Sequence, residues 1–309
     1  MNFSHMIQRY THKDITWLDI DHPTEADVDK VIQEFHIDPI VANELTTPTP
    51  KPRVELHGNY IYCVLHFPAF KHSHTDRTDQ EVDFYIGKDF LITARYDTVD
   101  ALHKFAKKLE VNAILDKKNI EYPAGYIFYL ILREIYHSIF DELAYIEDWV
   151  KEIETRIFTG NERDMVFALS QVSRTLLDFK KTTDMHEDIL ESLEIAGKKL
   201  IGDHFTYYTR TALEEYHKIK NLIRSNMEAV VELRETNNAL LTTKQNEITK
   251  VLTILAFIAV PLSLIASIFQ IDTVSRPIVG GPHDFWILIG VILLIGASMF
   301  SFFKFKGWL

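Results

Sequence analysis

The chain reads VLTILAFIAVPLSLIASIFQI from Val251 to Ile271 and FWILIGVILLIGASMFSFF from Phe285 to Phe303. These stretches of 21 and 19 residues contain no formally charged side chain. At about 1.5 Å per residue, helices over them reach roughly 32 and 29 Å, which matches a bilayer hydrocarbon core of about 30 Å. The helix of a soluble core rarely stays apolar on every face for that long. Two membrane-spanning helices are expected, over 251–271 and 285–303, rather than a buried hairpin. The external loop between them, 272–284, contains the turn formers Pro277, Gly280, Gly281 and Pro282. Lys244 and Lys250 precede the first span, Lys304 and Lys306 follow the second, and the loop has only Arg276. This asymmetry predicts a multi-pass protein of the cell (inner) membrane with both termini cytoplasmic and 304–309 as a basic cytosolic tail. The start, MNFSHMIQRYTHKD, lacks a basic run followed by an apolar core, so residues 1–250 are expected to stay cytosolic.

The rest of the chain is ordinary globular sequence. Over 309 residues, 47% are hydrophobic and 25% charged. The net charge of −11 opposes nonspecific nucleic-acid binding, and no nucleic-acid partner is expected. The charge is uneven: residues 251–309 sum to +1, whereas the first 250 carry 30 basic and 42 acidic side chains. An acidic cytosolic body suits cations, and it equally suits a solvated surface. The single cysteine, Cys63, excludes an internal disulfide and a Cys-rich zinc site. No phosphate loop or nucleophile elbow is present, and Met185-His186-Glu187-Asp188 lacks the second histidine of a zincin helix. No enzyme activity is expected, and no cofactor beyond a transported or regulatory divalent cation. His66, His72 and His74 are residues of the kind that ligate Zn²⁺ or Ni²⁺, but their hairpin-and-loop setting reads as an exposed loop.

An α+β cytosolic domain followed by long helices is expected. In 1–120, strand patterns cover Ile15 to Ile20, Arg53 to His57, Tyr60 to Phe67, Glu81 to Ile86 and Phe90 to Arg95, with a helix over Glu25 to Phe35 capped by Thr24. Phe70 to Gln80 reads as a polar loop. Long helices fill 121–202: one from Pro123 to Gly160, a second from about Glu162 to Ala196, with Gly197 and Gly202 as breakers. A third begins near Asp203, forms a stalk over 203–250 and continues into the first span. It would be about 100 Å long if unbroken to 271. Tyr216, Ile219, Ile223, Met227, Val230 and Leu233 recur on it every three or four residues. That row suits packing against identical neighbours in an oligomeric stalk, the alternative being a bend at Gly202 with packing inside the chain.

The first span is two-faced. Asn246, Thr249, Thr253, Ala256, Val260, Ser263, Ser267 and Gln270 fall near one side, and Leu255, Ile258, Leu262, Ile265 and Phe269 on the other. Small and hydroxylated side chains serve close helix packing in membranes, and they equally serve a narrow wet pore. Pro261 removes one helical hydrogen bond, which membrane bundles tolerate.

Nearly the whole chain resembles the CorA-like divalent-cation (magnesium, cobalt, zinc) transporters, the 2-TM metal-ion transporter superfamily. The resemblance is carried by Trp17-Leu18-Asp19-Ile20 with Pro23-Thr24, Lys51-Pro52-Arg53-Val54-Glu55, Glu235-Thr236-Asn237, Asn246 to Thr253, Pro261 to Phe269 and the tail Lys306-Gly307-Trp308-Leu309. It implies a funnel-shaped homopentamer in membrane lipid, with five copies of the first span around a pore and the second span outside. Asn246, Thr249, Leu252, Val260 and Ser263 match pore-lining positions, and Ser267 and Gln270 extend the same stripe. Glu235 matches an acidic position near the stalk's pore base. Where the family has Gly-Met-Asn, this chain has Gln270-Ile271-Asp272, so five Asp272 carboxylates would form the filter and metal-attracting ring. In the stalk, Arg210-Thr211-Ala212-Leu213-Glu214 stands where many members have Arg-Asp-x-x-Asp, leaving Glu214 as the acidic position. The resemblance implies a cation channel or transporter, and the changed filter an altered selectivity. A transport-inactive membrane scaffold or sensor is the alternative.

Overall fold

The computed structural model describes residues 6–12, 15–69, 79–97, 99–115, 123–271 and 282–308. The chain divides into two compact units, Met1–Arg234 and Glu235–Leu309.

The first unit is built on a six-stranded sheet of β1 (Met6–His12), β2 (Ile15–Asp21), β3 (Arg53–Leu56), β4 (Tyr60–Pro68), β5 (Asp79–Gly87) and β6 (Phe90–Arg95). The order is β1-β2-β6-β5-β4-β3; β2 and β6 run parallel and every other neighbouring pair antiparallel. Alternation decides which side chains go to which face. Leu18, Ile20, Tyr62, Val64, Tyr85, Ile92 and Ala94 pack with Val28, Val31 and Phe35 of α1 (Glu25–Phe35) and Val41 and Ala42 of α2 (Pro39–Asn43). At the N-terminus of α1, Thr24 and Asp27 form a reciprocal capping box.

The other face meets helices. Trp17 packs on Phe105 of α3 (Asp100–Leu115), and Phe84 meets Phe128 of α4 (Ala124–Phe158) edge-on, 5.1 Å between ring centres. Phe67 meets His186 at the start of α6 (His186–Leu200). Both faces of β4 and β5 are thus covered, and every residue of the two strands except Asp79 is buried.

The sequence pattern located most of these elements, and four points are corrected. The helix expected over Glu162 to Ala196 is two helices, α5 (Glu162–Thr183) and α6, with a break at Asp184 and Met185. Asp79 and Gln80 belong to β5 rather than to a loop. Gly197 lies inside α6, while Gly202, with φ of 120°, is the residue that breaks the chain. The row on α7 (Asp203–Gln270) does not wait for neighbouring copies: Tyr216, Ile219, Ile223, Val230 and Leu233 are buried within the chain. α4, 35 residues long, carries its own buried apolar row from Ile131 to Ile157. Phe205 and Tyr208 contact α4, and Phe205, Arg210, Tyr216 and Lys220 contact α6.

The second unit holds α7 from Glu235 onward and α8 (Asp284–Phe305). Both helices contain a window long and apolar enough to cross a membrane, and those windows are 6% and 0% buried inside the chain. That exposure is the reverse of a soluble core helix. Pro261 lies inside α7, which continues through it.

Candidate ion pathway

The two helices of the second unit pack through one side of α7. Ile254 is 2% exposed and Phe303 of α8 8%. Ile258, Pro261, Leu262, Ile265, Ala266 and Phe269 are half-buried. At Gly296 of α8 an added Cβ would meet Leu262 Cδ1 of α7 at 3.4 Å, an ordinary van der Waals contact, which places the two helices side by side there. Phe257 and Phe303 lie 6.4 Å apart, ring centre to ring centre. Beyond α8 the chain turns back through Gly307, at φ 69°. There the Lys250 ammonium donates to the Gly307 carbonyl at 3.4 Å, and Trp308 rests against Phe303.

At 100° per residue, the side covered by α8 and the stripe of small and polar residues are centred about 180° apart. The side chains of the stripe, Asn246, Thr249, Thr253, Ala256, Val260, Ser263, Ser267 and Gln270, are all exposed in the single chain. Leu252, 60% exposed, lies beside them. The sequence expectation that one helix carries these residues on one side is met, and α8 takes most of the bulky side opposite. Leu255 is not covered, at 58% exposure, nor are Phe257, Leu264 and Ile268 on the flank between the two sides. Thr249 Oγ1 donates to the Gln245 carbonyl at 2.9 Å, and Thr253 Oγ1 to the Thr249 carbonyl at 2.7 Å. A carbonyl cannot donate, so both hydroxyl protons are committed and the outward oxygens present lone pairs.

The acidic residues are placed less fully. Asp272 and Arg276 lie outside the described residues, as do His72 and His74. Glu214 and Glu235 are both exposed on α7, 21 positions apart in the sequence. His66 is corrected: it is a buried residue of β4, not part of an exposed loop. Among the described residues no group of three or more His, Cys, Asp or Glu side chains is arranged to hold a metal ion. His186 is fully buried; burial pushes its pKa down to about 4, so it is neutral. Its Nε2–H donates to the His66 carbonyl at 2.7 Å, and its Nδ1 accepts from the Tyr136 hydroxyl at 3.0 Å.

Sequence reading missed the polar network inside the sheet domain. Asp19, 2% exposed, pairs with Arg95 at 3.2 Å and accepts from Thr93, which in turn accepts from the Trp17 indole. Burial raises the Asp19 pKa, with Arg95 opposing the shift. Glu81, Asp83 and His66 form a second cluster. The available signal was charged residues placed inside otherwise apolar strand patterns.

Comparison with known proteins agrees with this architecture. The CorA-like Mg²⁺ transporter protein family matches residues 12–306. A cobalt/magnesium transport protein CorA of Thermotoga maritima is 25% identical over 297 residues, covering 95% of this chain and 83% of its own. Its counterpart in Methanocaldococcus jannaschii is 24% identical over 303 residues, covering 96% and 92%. The complete structure of the CorA magnesium transporter from M. jannaschii superposes with a TM-score of 0.83 at 20% identity, covering 96% of this chain and 92% of that one. The full-length CmaX protein superposes with a TM-score of 0.72 at 15% identity, covering 94% and 88%. With the α/β domain, the long helices and the two apolar C-terminal helices in place, the chain belongs to the CorA-like Mg²⁺ transporter family.

Proposed function

We propose that this protein is a homopentameric channel for divalent cations, with five copies of α7 lining the pore and α8 outside them. One observation carries the reading: α8 covers the bulky apolar side of α7, and the stripe with Thr249, Thr253, Ser263, Ser267 and Gln270 remains uncovered. An amide turned to lipid loses hydrogen-bonding partners and a threonine hydroxyl bonded to its own helix keeps unused acceptor lone pairs, whereas around a shared axis these groups contact water and hydrated ions. The relatives named as cobalt/magnesium transport proteins support the substrate class. Asn246, Thr249, Leu252, Val260, Ser263, Ser267 and Gln270 line the pathway in this reading. Glu235 attracts cations near its inner end.

Asp272 forms the outer carboxylate ring. Five carboxylates on one axis bind a hard cation more strongly than amides do and repel one another when empty. Selectivity therefore differs from that of members with Gly-Met-Asn. Regulation by cytosolic Mg²⁺ is weaker, because Thr211 replaces a carboxylate in the stalk run that ends at Glu214. Both termini lie in the cytoplasm of a cell-membrane protein, in keeping with the lysines that flank the spans.

The test is the mass of the detergent-solubilised protein together with cation uptake by proteoliposomes of wild type and Asp272→Ala. A pentamer whose D272A variant shows changed rate or selectivity supports the reading. Identical uptake of every cation by wild type and D272A removes Asp272 from the pathway.

A further inference from the structure

The second polar cluster sits where β4 and β5 meet the segment Thr47–Pro52. His66 stands directly opposite Glu81, and Asp83 follows two positions on, on the same face. Their exposures are 9%, 7% and 0%. The Thr49 amide N–H donates to the Glu81 carboxylate, 2.8 Å from each oxygen. The Thr49 carbonyl accepts from His66 Nε2 at 2.9 Å, and the same nitrogen is 3.4 Å from Glu81 Oε2. One residue of the segment is thus gripped at both its peptide groups.

Asp83 has a different environment. Tyr96 and Tyr62 donate to its Oδ2 at 3.0 and 3.2 Å, while its buried Oδ1 receives no hydrogen bond from the protein. Glu81 and Asp83 thus stand on one face of β5 two positions apart, both buried. Two carboxylates so placed repel each other when both are ionised, which favours a proton on one of them. We propose that Glu81 and Asp83 hold one proton between them, and that this proton lets Glu81 and His66 clasp Thr49 against the sheet.

Charge bookkeeping agrees. Burial, followed by the charge of Glu81, raises the Asp83 carboxyl well above the usual range. Burial opposes charge on His66, but the Glu81 carboxylate outweighs it and the imidazole pKa is raised, with Asp79 adding to the effect. Burial and the neighbouring carboxylate thus favour the proton on Asp83, and the Glu81 side chain favours the charged form of His66. The surrounding groups leave that balance intact. Burial pushes the Tyr62, Tyr85 and Tyr96 phenols upward, so they stay neutral. Arg53 lies over the Tyr62 ring and is paired with Glu44 and Glu55. His186, reached through the His66 carbonyl, is neutral.

Both shifted groups have folded values above their unfolded ones. The clasp is therefore complete at low pH and is lost as pH rises through the folded values. Loss leaves two buried carboxylates beside a neutral imidazole and frees Thr49. This pH-sensitive clasp does not depend on the transport reading.

The test is made on the full chain in detergent, from roughly pH 6 to 10. The infrared difference between wild type and Asp83→Asn reads the protonated-carboxyl stretch, and hydrogen exchange reads the Thr49 amide as a protection factor corrected for intrinsic rate. At neutral pH the wild type shows a protonated-carboxyl band that D83N removes. Wild-type protection of Thr49 falls about tenfold or more as that band disappears on raising pH, while D83N, neutral throughout, keeps its protection. Absence of the band from the wild type overturns the proposal whatever the variants do. So does a D83N protein that loses protection at the same pH as wild type.

Discussion

A Cβ added to Gly197 would lie 1.9 Å from Cδ1 of Phe205. The Phe205 ring fills the slot between Gly197 on α6 and Gly125 on α4, where an added Cβ would come within 2.5 Å of the same ring. The first turn of α7 is thereby locked between two other helices, and Phe205 is fully buried. Gly197→Ala forces either the ring or the helix to move. Overpacking of this kind costs about 2 kcal/mol. The melting temperature in detergent should fall by several degrees, and Phe205→Leu should recover part of the loss. Gly58→Ala, where a Cβ meets nothing within 4 Å, is the control and should melt within a degree or so of wild type.

His186 makes stability fall in acid. The buried imidazole has its pKa lowered to about 4 by desolvation, against 6.5 when free. The unfolded chain binds the proton first, so this contribution is complete above about pH 6.5 and is lost as pH drops toward 4. A shift of this size is worth on the order of 3 kcal/mol. Melting temperature measured against pH should decline across that window in wild type and decline less in His186→Gln. Parallel curves would show that His186 is not the group responsible.

The uncovered stripe of α7 should be reached by water. Cys63, the only cysteine, is buried on β4, so background labelling is low. Ser263→Cys and Ser267→Cys should react with a charged thiol reagent applied in the aqueous phase and should be protected by a high concentration of divalent cation. Ile254→Cys and Ile265→Cys, on the α8 side, should react at least tenfold more slowly. Equal rates on both sides would mean that the stripe faces no aqueous path.

The hydroxyls of Thr249 and Thr253, at the N-terminal end of the apolar stretch of α7, offer a further check. Their protons are donated to the helix backbone, so they contribute acceptor oxygens alone. The double change Thr249→Val, Thr253→Val keeps shape and removes those oxygens. It should lower cation uptake by about tenfold, while the paired serine variant should retain most of it.

Much of this architecture was legible in the sequence because its signals are local. The helix over Glu25–Phe35, the hairpin strands and both apolar spans depend on caps, alternation and length, and they lie where the pattern put them. The stripe of α7 was legible for the same reason, since helical periodicity places residues on a side. What covers each side is a tertiary fact. The row from Tyr216 to Leu233 suited packing against a neighbouring copy, and only the folded chain shows that it is buried within the chain itself. The break at Asp184 and Met185 has neither Gly nor Pro to announce it. The role of Gly197 was misread because a glycine that admits a ring 8 residues away looks, in sequence, like a helix stop. The clasp on Thr49 joins residues 17 and 32 positions apart, beyond any local pattern.

The most direct measurement is uptake of Mg²⁺ or Co²⁺ into liposomes holding the purified protein, with protein-free liposomes as baseline. Saturable uptake that falls at least tenfold when Ser263 and Ser267 are both replaced by leucine is the predicted result. A folded pentamer that carries no divalent cation above baseline would contradict it and leave a membrane scaffold in its place.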